Sequence, residues 1–434
     1  MIPAIRVPRS AGAYSGDEQP LRSELYSADR MKQHGKTLAG FHEPARERTV
    51  DRLLPRLAEN EQVLIGTREL LTEAVKTNRR ITPAGEWLLD NFYLVEEQIR
   101  TARRHLPRSY SRELPSLLNG PSAGFPRVYD IALETIAHGD GRVDPENLSS
   151  FVDAYQTVTV LRLGELWAIP IMLRLALIEN LRRVAARIAA DRIDRNRADH
   201  WADRMTQVAE KDPNNLILVV ADMTRSDPPM VSSFVAELAR RLQGQSPALA
   251  LPLTWIEQRL SQTGTTIEQM VQSENQQQAA DQVSISNSIG SLRFLGATDW
   301  RAFVETRSLV EATLREDPCG AYGGMDFATR DRYRHAVETI ASRSRMSEAQ
   351  VARLAIQLTQ AVATNGGGQA RAAHVGFYLI DKGVRQLEQA AQVRPSPGET
   401  LRRLADRVPL VVYLTPILLL TVLLAAGSVA QALT

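Results

Sequence analysis

One long apolar segment near the end of the 434-residue chain constrains its fold more than any other feature. From Val408 to Ala430 the sequence reads VPLVVYLTPILLLTVLLAAGSVA, in which the phenol of Tyr413 is the only ionisable group. About 20 such residues suffice for a helix to cross the hydrocarbon core of a bilayer. A soluble helix averages about 11–12 residues and keeps a polar face. The segment therefore predicts a transmembrane helix, kinked at Pro416.

The charges that flank this segment predict its orientation. Arg394, Arg402, Arg403 and Arg407 precede it, and no Lys or Arg follows it. The positive-inside rule then places the preceding chain in the cytoplasm, which agrees with an N-terminus that develops no apolar secretory signal. The short polar ending after Ala430 fits a tail-anchored protein and equally a longer membrane protein cut after its first crossing.

Charge and cysteine content argue against a nucleic-acid function and against an internal disulfide. The net charge is only +2 despite 52 Lys and Arg, and the arginines alternate with acids along the chain. This pattern offers no basic field to a nucleic acid. The single cysteine, Cys319, cannot form an internal disulfide, which suits a reducing compartment. Since it lies in the turn-like stretch Asp317–Gly320, we interpret it as a bystander thiol and not a nucleophile.

Helix signals recur from about residue 50 onward. The first is an apolar stripe with helical spacing, formed by Leu53, Leu57, Leu64, Leu71 and Val75. The predicted fold class is therefore all-α, with one or more multi-helix cytoplasmic domains followed by a C-terminal transmembrane helix. The predicted parts are a flexible N-terminal arm (1–49), a helical domain (50–272), a polar linker or exposed helix end (273–291), a second helical subdomain (292–405) and the transmembrane helix (408–430).

Particular residues predict where helices begin. Thr82, followed by Pro83, predicts an N-cap with proline at the first helical position. Ser347 with Gln350 predicts a capping box. Asp227 is predicted to cap a helix that starts at the two prolines after it, and further helices are expected after Thr298 and Asp326.

Two apolar segments inside the chain allow more than one interpretation. Leu161–Arg183 resembles a membrane span, but two arginines and two glutamates interrupt it, and a charge at the centre of a span costs about 2.5–3.5 kcal/mol on insertion scales. We predict a buried soluble helix that is kinked at Pro170 and continues to about Arg204. The shorter run Leu216–Val220 fits a strand or a helix.

Three groups of residues are candidates for a binding or catalytic site. The glycines Gly366–Gly368 follow a predicted helix, so they indicate a helix C-cap and joint and not a phosphate loop. Asp199, His200 and Asp203 lie together on a predicted helix, where a solvated charged face is favoured over a metal-ligand set. The other histidines show no metal spacing.

Acidic and aromatic residues adjoin at three places, and such pairs can bind sugars. The pairs are Glu165/Trp167, Asp299/Trp300 and Tyr322/Asp326. Core aromatics beside helix caps are the favoured interpretation. No nucleotide, nucleophile-elbow or dinucleotide motif is present. The sequence therefore predicts no catalytic, cofactor-binding or metal-binding residue.

A succession of short strings resembles a known family. The strings are Glu86–Gln98 (EWLLDNFYLVEEQ), Tyr110–Pro115 (YSRELP), Gly164–Ala168 (GELWA), Ser288–Arg293 (SIGSLR), Asp299-Trp300, Tyr322–Arg334 (YGGMDFATRDRYR) and His374–Asp381 (HVGFYLID). In this order and spacing they resemble the N-terminal region of bacterial cyclic β-1,2-glucan synthases. The resemblance extends from about residue 49 to the apolar segment.

The resemblance implies an inner-membrane glucosyltransferase that polymerises glucose from UDP-glucose and cyclises the β-1,2-glucan. In that family a helical N-terminal region and membrane helices precede the cytoplasmic glycosyltransferase domain, whose motifs include QxxRW. No QxxRW occurs here, so no catalytic residue is carried over. UDP-glucose and a divalent metal are implied for the full-length protein, and no cofactor is expected in this segment.

The implied partners are the membrane, a downstream transferase domain of the same polypeptide and β-1,2-glucan. The implied location is the bacterial inner membrane, with the N-terminal bulk in the cytoplasm. We expect the segment to brace or regulate the transferase without catalysing a reaction. The alternatives are a self-contained tail-anchored helical scaffold that binds proteins, and a glycan-binding module that uses Trp167 or Tyr322.

Overall fold

The computed structural model describes residues 18–45, 50–364 and 371–393. Within these ranges the regular structure is helical, and extended pairing is limited to isolated bridges between Pro44 and Leu117 and between Ser116 and Pro126. The all-α prediction is confirmed.

The helices are labelled in chain order. They are α1 Ala28–Phe41, α2 Leu53–Lys76, α3 Pro83–Asp90, α4 Phe92–His105, α5 Arg108–Glu113, α6 Arg127–His138, α7 Pro145–Gln156, α8 Leu163–Lys211, α9 Leu216–Arg225, α10 Ser232–Leu242, α11 Ala250–Ser261, α12 Ile267–Ala297, α13 Trp300–Arg307, α14 Leu309–Leu314, α15 Phe327–Ser342, α16 Glu348–Val362, α17 Val375–Ile380 and α18 Val384–Ala390. Short 3₁₀ turns lie at Pro213–Asn215, Pro247–Leu249, Tyr322–Gly324 and Arg371–Ala373.

The chain divides into two compact units, with the boundary between Val304 and Glu305. The first unit has two apolar cores. One is built by α1–α7, the first half of α8 and the end of α12. The other is built by the second half of α8, by α9–α11 and by the start of α12. The second unit has its own core, to which α14–α18 contribute.

The long helix α8 has 49 residues and contributes to both cores of the first unit. The predicted buried helix is confirmed: it continues through Pro170 and ends at Lys211, slightly beyond the expected end. Glu165, Arg174 and Glu179, which interrupt the apolar run, are almost fully buried. Their burial is tolerated because each has a partner on another helix: Glu165 pairs with α6, Arg174 with α4 and Glu179 with α2.

The polar tract 273–291 differs from the predicted polar linker or exposed helix end, since it lies in the interior of the continuous helix α12. Asn180 of α8 donates to the hydroxyls of Ser284 and Ser288, at 3.1 Å in each case. Two buried carboxylates of the tract pair with arginines of α8. Polar side chains can be buried when each has a hydrogen-bonding or charged partner. The polar face of this tract therefore packs against α8 and does not face solvent.

The predicted N-terminal arm also differs from the structure, since residues 28–41 form α1. Ser27 caps this helix by accepting from the backbone N–H of Arg30. The helix lies against α7, where Gly35 meets Phe151 so closely that an added Cβ would lie 2.8 Å from the Phe151 carbonyl oxygen. Tertiary packing against α7 therefore stabilises a helix of 14 residues, a length at which an isolated helix is marginal in water.

This contact gives a first prediction. We expect Gly35→Ala to lower the free energy of unfolding by about 1–3 kcal/mol, because the extra methyl group overpacks the α1–α7 contact. The matched control is Gly40→Ala in the same helix, where a Cβ would meet nothing within 4 Å. Urea denaturation followed by circular dichroism measures both changes, and equal losses in the two variants would contradict the assignment.

The predicted helix starts are mostly confirmed. Thr82 accepts from the backbone N–H of Gly85, and Ser347 with Gln350 forms the capping box. The run from Leu216 is a helix. The prediction for Asp227 is wrong: its φ is +44°, and α10 begins only at Ser232. The first of two consecutive prolines precedes a proline and is biased away from helical geometry, so the helix starts after both.

Among the described ranges, no helix is both long enough and apolar enough to cross a bilayer. The predicted transmembrane segment Val408–Ala430 lies outside the described residues.

Candidate binding cleft

A cleft with a volume of about 710 Å³ opens in the first unit. Its walls are the segment before α1, the end of α1, the start of α2, the turn at residues 121–125, and parts of α6 and α8. Ligand pockets commonly enclose about 300–1,000 Å³ and combine apolar faces with a few placed polar groups. The size of the cleft therefore suits a small ligand or a segment of a chain molecule.

The floor of the cleft carries a buried ion cluster centred on Glu179. Its carboxylate accepts from Arg56 at 2.7 and 2.9 Å, from Arg182 at 2.7 Å and from Arg183 at 2.8 Å. Asn60 adds a donor at 2.8 Å. Burial acts to raise the pKa of Glu179, but the hydrogen bond from Arg56 and the nearby arginine charges outweigh it and hold the pKa well below its ordinary value.

A second polar chain begins at Asp130, which also lines the cleft. Nε2 of His42 lies 3.0 Å from Oδ2 of Asp130, and Nδ1 lies 2.9 Å from the hydroxyl of Tyr155. Ser122, another lining residue, donates to Asp130. Burial raises the pKa of Tyr155 to about 12, so the phenol keeps its proton. This network fixes the Asp130 carboxylate at the wall of the cleft.

Aromatic and cationic side chains form the rim. Phe41 is 53% exposed, and Phe125 is half-buried beside Tyr129 with ring centroids 5.5 Å apart. Gly120 has φ +76°, and a Cβ there would lie 3.0 Å from the Phe41 ring. The exposed Arg52 guanidinium approaches the turn and donates to the Ala123 carbonyl at 3.4 Å. Apolar faces beside hydrogen-bonding groups suit a ligand rich in hydroxyl groups.

At one side of the cleft the structure brings two histidines together, although the spacing of the histidines in the sequence predicted no metal site. His34 of α1 and His138 of α6 meet at Glu134, which also lines the cleft. Burial acts to raise the pKa of Glu134, but hydrogen bonds from both histidines outweigh it and lower the pKa to about 2. The i, i+4 spacing of Glu134 and His138 was a usable signal, whereas His34 is distant in sequence.

The acidic group on α8 differs from the predicted solvated face at Asp199, which lies in a buried ion-pair network, whereas the side chain of Asp203 is 46% exposed. Asp199 is 4% exposed and lies 3.1 Å from Arg79 and 3.3 Å from Arg241. Asp203 pairs with the same two arginines. His200 is exposed. Arginines therefore occupy the carboxylate oxygens that a cation would need.

Two of the acidic–aromatic pairs have structural roles. Both oxygens of Glu165 accept from Arg127 at 2.6 Å, and Trp167 packs against the first core. Asp299 accepts from a backbone N–H at the start of α13, and Trp300 packs against aromatic neighbours. The interpretation as core aromatics beside helix caps is confirmed for these pairs.

The third pair lies in the second unit and is also structural. Tyr322 is fully buried and donates to Glu311 at 2.6 Å. Asp326 caps α15 by accepting from the Thr329 N–H. Cys319 is exposed, and its thiol donates to the Ala373 carbonyl at 3.2 Å. The glycines Gly366–Gly368 lie outside the described residues.

Comparison with curated proteins relates this helical chain to part of a cyclic glucan synthase. No protein-family model matches it. The similar protein is the cyclic beta-(1,2)-glucan synthase NdvB of Rhizobium meliloti, which is 32% identical over 413 residues, or 93% of this chain. The chain spans only 14% of the length of that relative. The predicted resemblance to the N-terminal region of these synthases is confirmed.

Proposed function

We propose that this chain is a helical, non-catalytic part of a cyclic β-1,2-glucan synthase, a membrane glucosyltransferase that uses UDP-glucose. The similarity to NdvB over 93% of the chain carries this proposal. The transferase chemistry, with UDP-glucose and a divalent metal, belongs to a domain downstream in the same polypeptide. The synthase lies in the bacterial inner membrane, with this region on the cytoplasmic side.

Within that synthase, the region braces or regulates the transferase domain. The internal structure of the first unit supports this role, because α8 packs into both of its cores and carries buried ion pairs to α2 and α6. The acidic–aromatic pairs are engaged in structural contacts, which favours support over sugar chemistry at those positions. The cleft lined by Phe125 and Arg52 holds a segment of the glucan near the transferase.

The test uses the full 434-residue chain and the protein encoded by its uninterrupted coding sequence. We expect the chain alone to release no UDP from UDP-glucose in the presence of a divalent cation, because the transferase motifs lie elsewhere. Reading the coding sequence beyond Thr434 is expected to reveal membrane helices and a transferase domain. Membranes containing that complete protein are expected to form β-1,2-glucan.

Two results would contradict the proposal in different ways. Glucan synthesis by the 434-residue chain alone would show that it is catalytic. A stop codon directly after Thr434 would remove the downstream transferase and favour the self-contained scaffold that binds protein partners. Co-purification of the chain with a separate protein, and not with glucan, would then identify the scaffold.

A further inference from the structure

Three potential metal ligands converge where α1 meets α6. Nε2 of His34 lies 2.7 Å from Oε2 of Glu134, and Nε2 of His138 lies 3.3 Å from the same oxygen. The ligand atoms of all three residues lie within 4.8 Å of one another. Two imidazoles and one carboxylate are the ligands of many open zinc sites, in which a fourth position is left for water or another ligand.

The hydrogen bond that His138 makes through Nδ1 favours a cation next to its Nε2. Nδ1 lies 2.7 Å from the backbone carbonyl oxygen of Glu24, so Nδ1 carries the proton and donates it. Nε2 of His138 then faces Oε2 of Glu134 at 3.3 Å, and a positive charge between the two atoms stabilises this contact. A second proton or a metal ion can supply it. Metal-binding histidines commonly donate their remaining N–H to a backbone carbonyl in this way.

Packing holds the two imidazole rings in place. The ring of His34 stacks on Phe151 with a centroid distance of 5.9 Å, and the ring of His138 stacks on Tyr26 at 3.7 Å. The close approach of Gly35 to Phe151 fixes α1 beside α7. Glu134 and His138 share one face of α6. The ligands are therefore positioned by rigid elements before any ion binds.

We propose that His34, Glu134 and His138 form a binding site for a divalent transition-metal ion of the zinc class. Such an ion would link α1 to α6 and lie beside the binding cleft, because Glu134 belongs to both. The side chains of Glu134 and His34 are 31% and 23% exposed, so solvent reaches the site. The proposal is independent of the glucan synthase assignment.

The test is titration of the complete, chelator-treated chain with metal ions. We expect Co²⁺ to give the intense visible absorption of a four-coordinate site, and Zn²⁺ to abolish it at one ion per chain. Calorimetry with ZnCl₂ gives the affinity. His34→Gln, His138→Gln and Glu134→Gln should each weaken zinc binding by about 100-fold, since loss of an outer-shell partner alone costs about 10–100-fold. His200→Gln, at an exposed histidine on α8, is the control.

Folding of the variants is checked by far-ultraviolet circular dichroism. If a variant loses helicity, X-ray absorption of the zinc-loaded native chain replaces it, with two imidazole nitrogens and a carboxylate oxygen expected around the ion. Affinity that is unchanged in all three variants would overturn the proposal. The proposal would also be overturned if the native chain bound no zinc at millimolar concentration, or if the X-ray absorption spectrum showed no imidazole nitrogen around the zinc. Either result would show that the cluster holds only protons.

Discussion

Replacing Glu179 by Gln is expected to lower the free energy of unfolding of the first unit by about 3–5 kcal/mol. The substitution keeps the size of the side chain but removes the charge that holds three arginines at the floor of the cleft. Arg182 is almost fully buried, and its remaining partner Glu18 has a side chain that is 43% exposed, so water screens the counter-charge that is left. Urea denaturation followed by circular dichroism measures the loss.

The control for this prediction is Glu59→Gln. Glu59 accepts from Arg56 at 3.4 Å, but its side chain is 67% exposed. Water and salt screen exposed ion pairs, so we expect a change of less than about 1 kcal/mol. A loss in Glu59→Gln as large as that in Glu179→Gln would show that net charge, and not burial of the carboxylate, determines the stability of this cluster.

The stability of the Glu179→Gln variant should also depend on pH differently from that of the native chain. Because the pKa of Glu179 in the folded chain is depressed below its ordinary value of 4.5, the unfolded chain binds its proton first as the pH falls. The stabilisation is therefore complete above about pH 4.5 and decreases progressively below it. Between pH 6 and pH 3 the native chain should lose more stability than Glu179→Gln, and parallel pH profiles would contradict this.

The helical architecture was predictable because its signals are local. A cap such as Thr82 or Ser347 satisfies backbone groups within three residues, so the sequence alone shows both partners. Apolar spacing identified α2 for the same reason. The run at Leu161–Arg183 was interpreted correctly from the cost of its internal charges, although the residues that compensate those charges could not be named in advance.

The contacts that could not be predicted join residues distant in the chain. In the sequence, the serines of α12 are typical of a linker. In the structure they accept hydrogen bonds from Asn180. The sequence predicted a solvated Asp199, whereas in the structure Asp199 forms ion pairs with Arg79 and Arg241. In each case a buried polar group is stable only because a partner from another helix satisfies it, and composition does not reveal that partner.

The candidate sites are also formed mainly by residues that are distant in the chain. The cleft combines residues from the segment before α1, from α2, from the turn at 121–125, and from α6 and α8, so no spacing in the sequence marks it. The pair Glu134 and His138 carried a local signal, one helical turn apart. The family resemblance, by contrast, was predictable from short strings in a fixed order, and the similarity to NdvB confirms it.

The second unit contains a comparable buried ion network around Arg334. This arginine is 1% exposed and donates from Nη1 to Glu305 at 2.9 Å and to Glu311 at 2.7 Å. Glu311 is also buried and accepts from the Tyr322 hydroxyl. Burial acts to lower the pKa of Arg334, but hydrogen bonds to its acidic neighbours outweigh it and raise the pKa. The guanidinium therefore stays charged in the core.

We expect Arg334→Met to lower the free energy of unfolding of the second unit by about 3–5 kcal/mol, because Glu311 loses its main buried counter-charge. Arg332→Ala, at an exposed arginine of the same helix, should change it by less than about 0.5 kcal/mol. Adding Glu311→Gln to Arg334→Met removes the buried carboxylate charge that Arg334 balanced and keeps an acceptor for Tyr322. The double variant should therefore lose less than the sum of the single losses, and strictly additive losses in urea denaturation would refute this coupling.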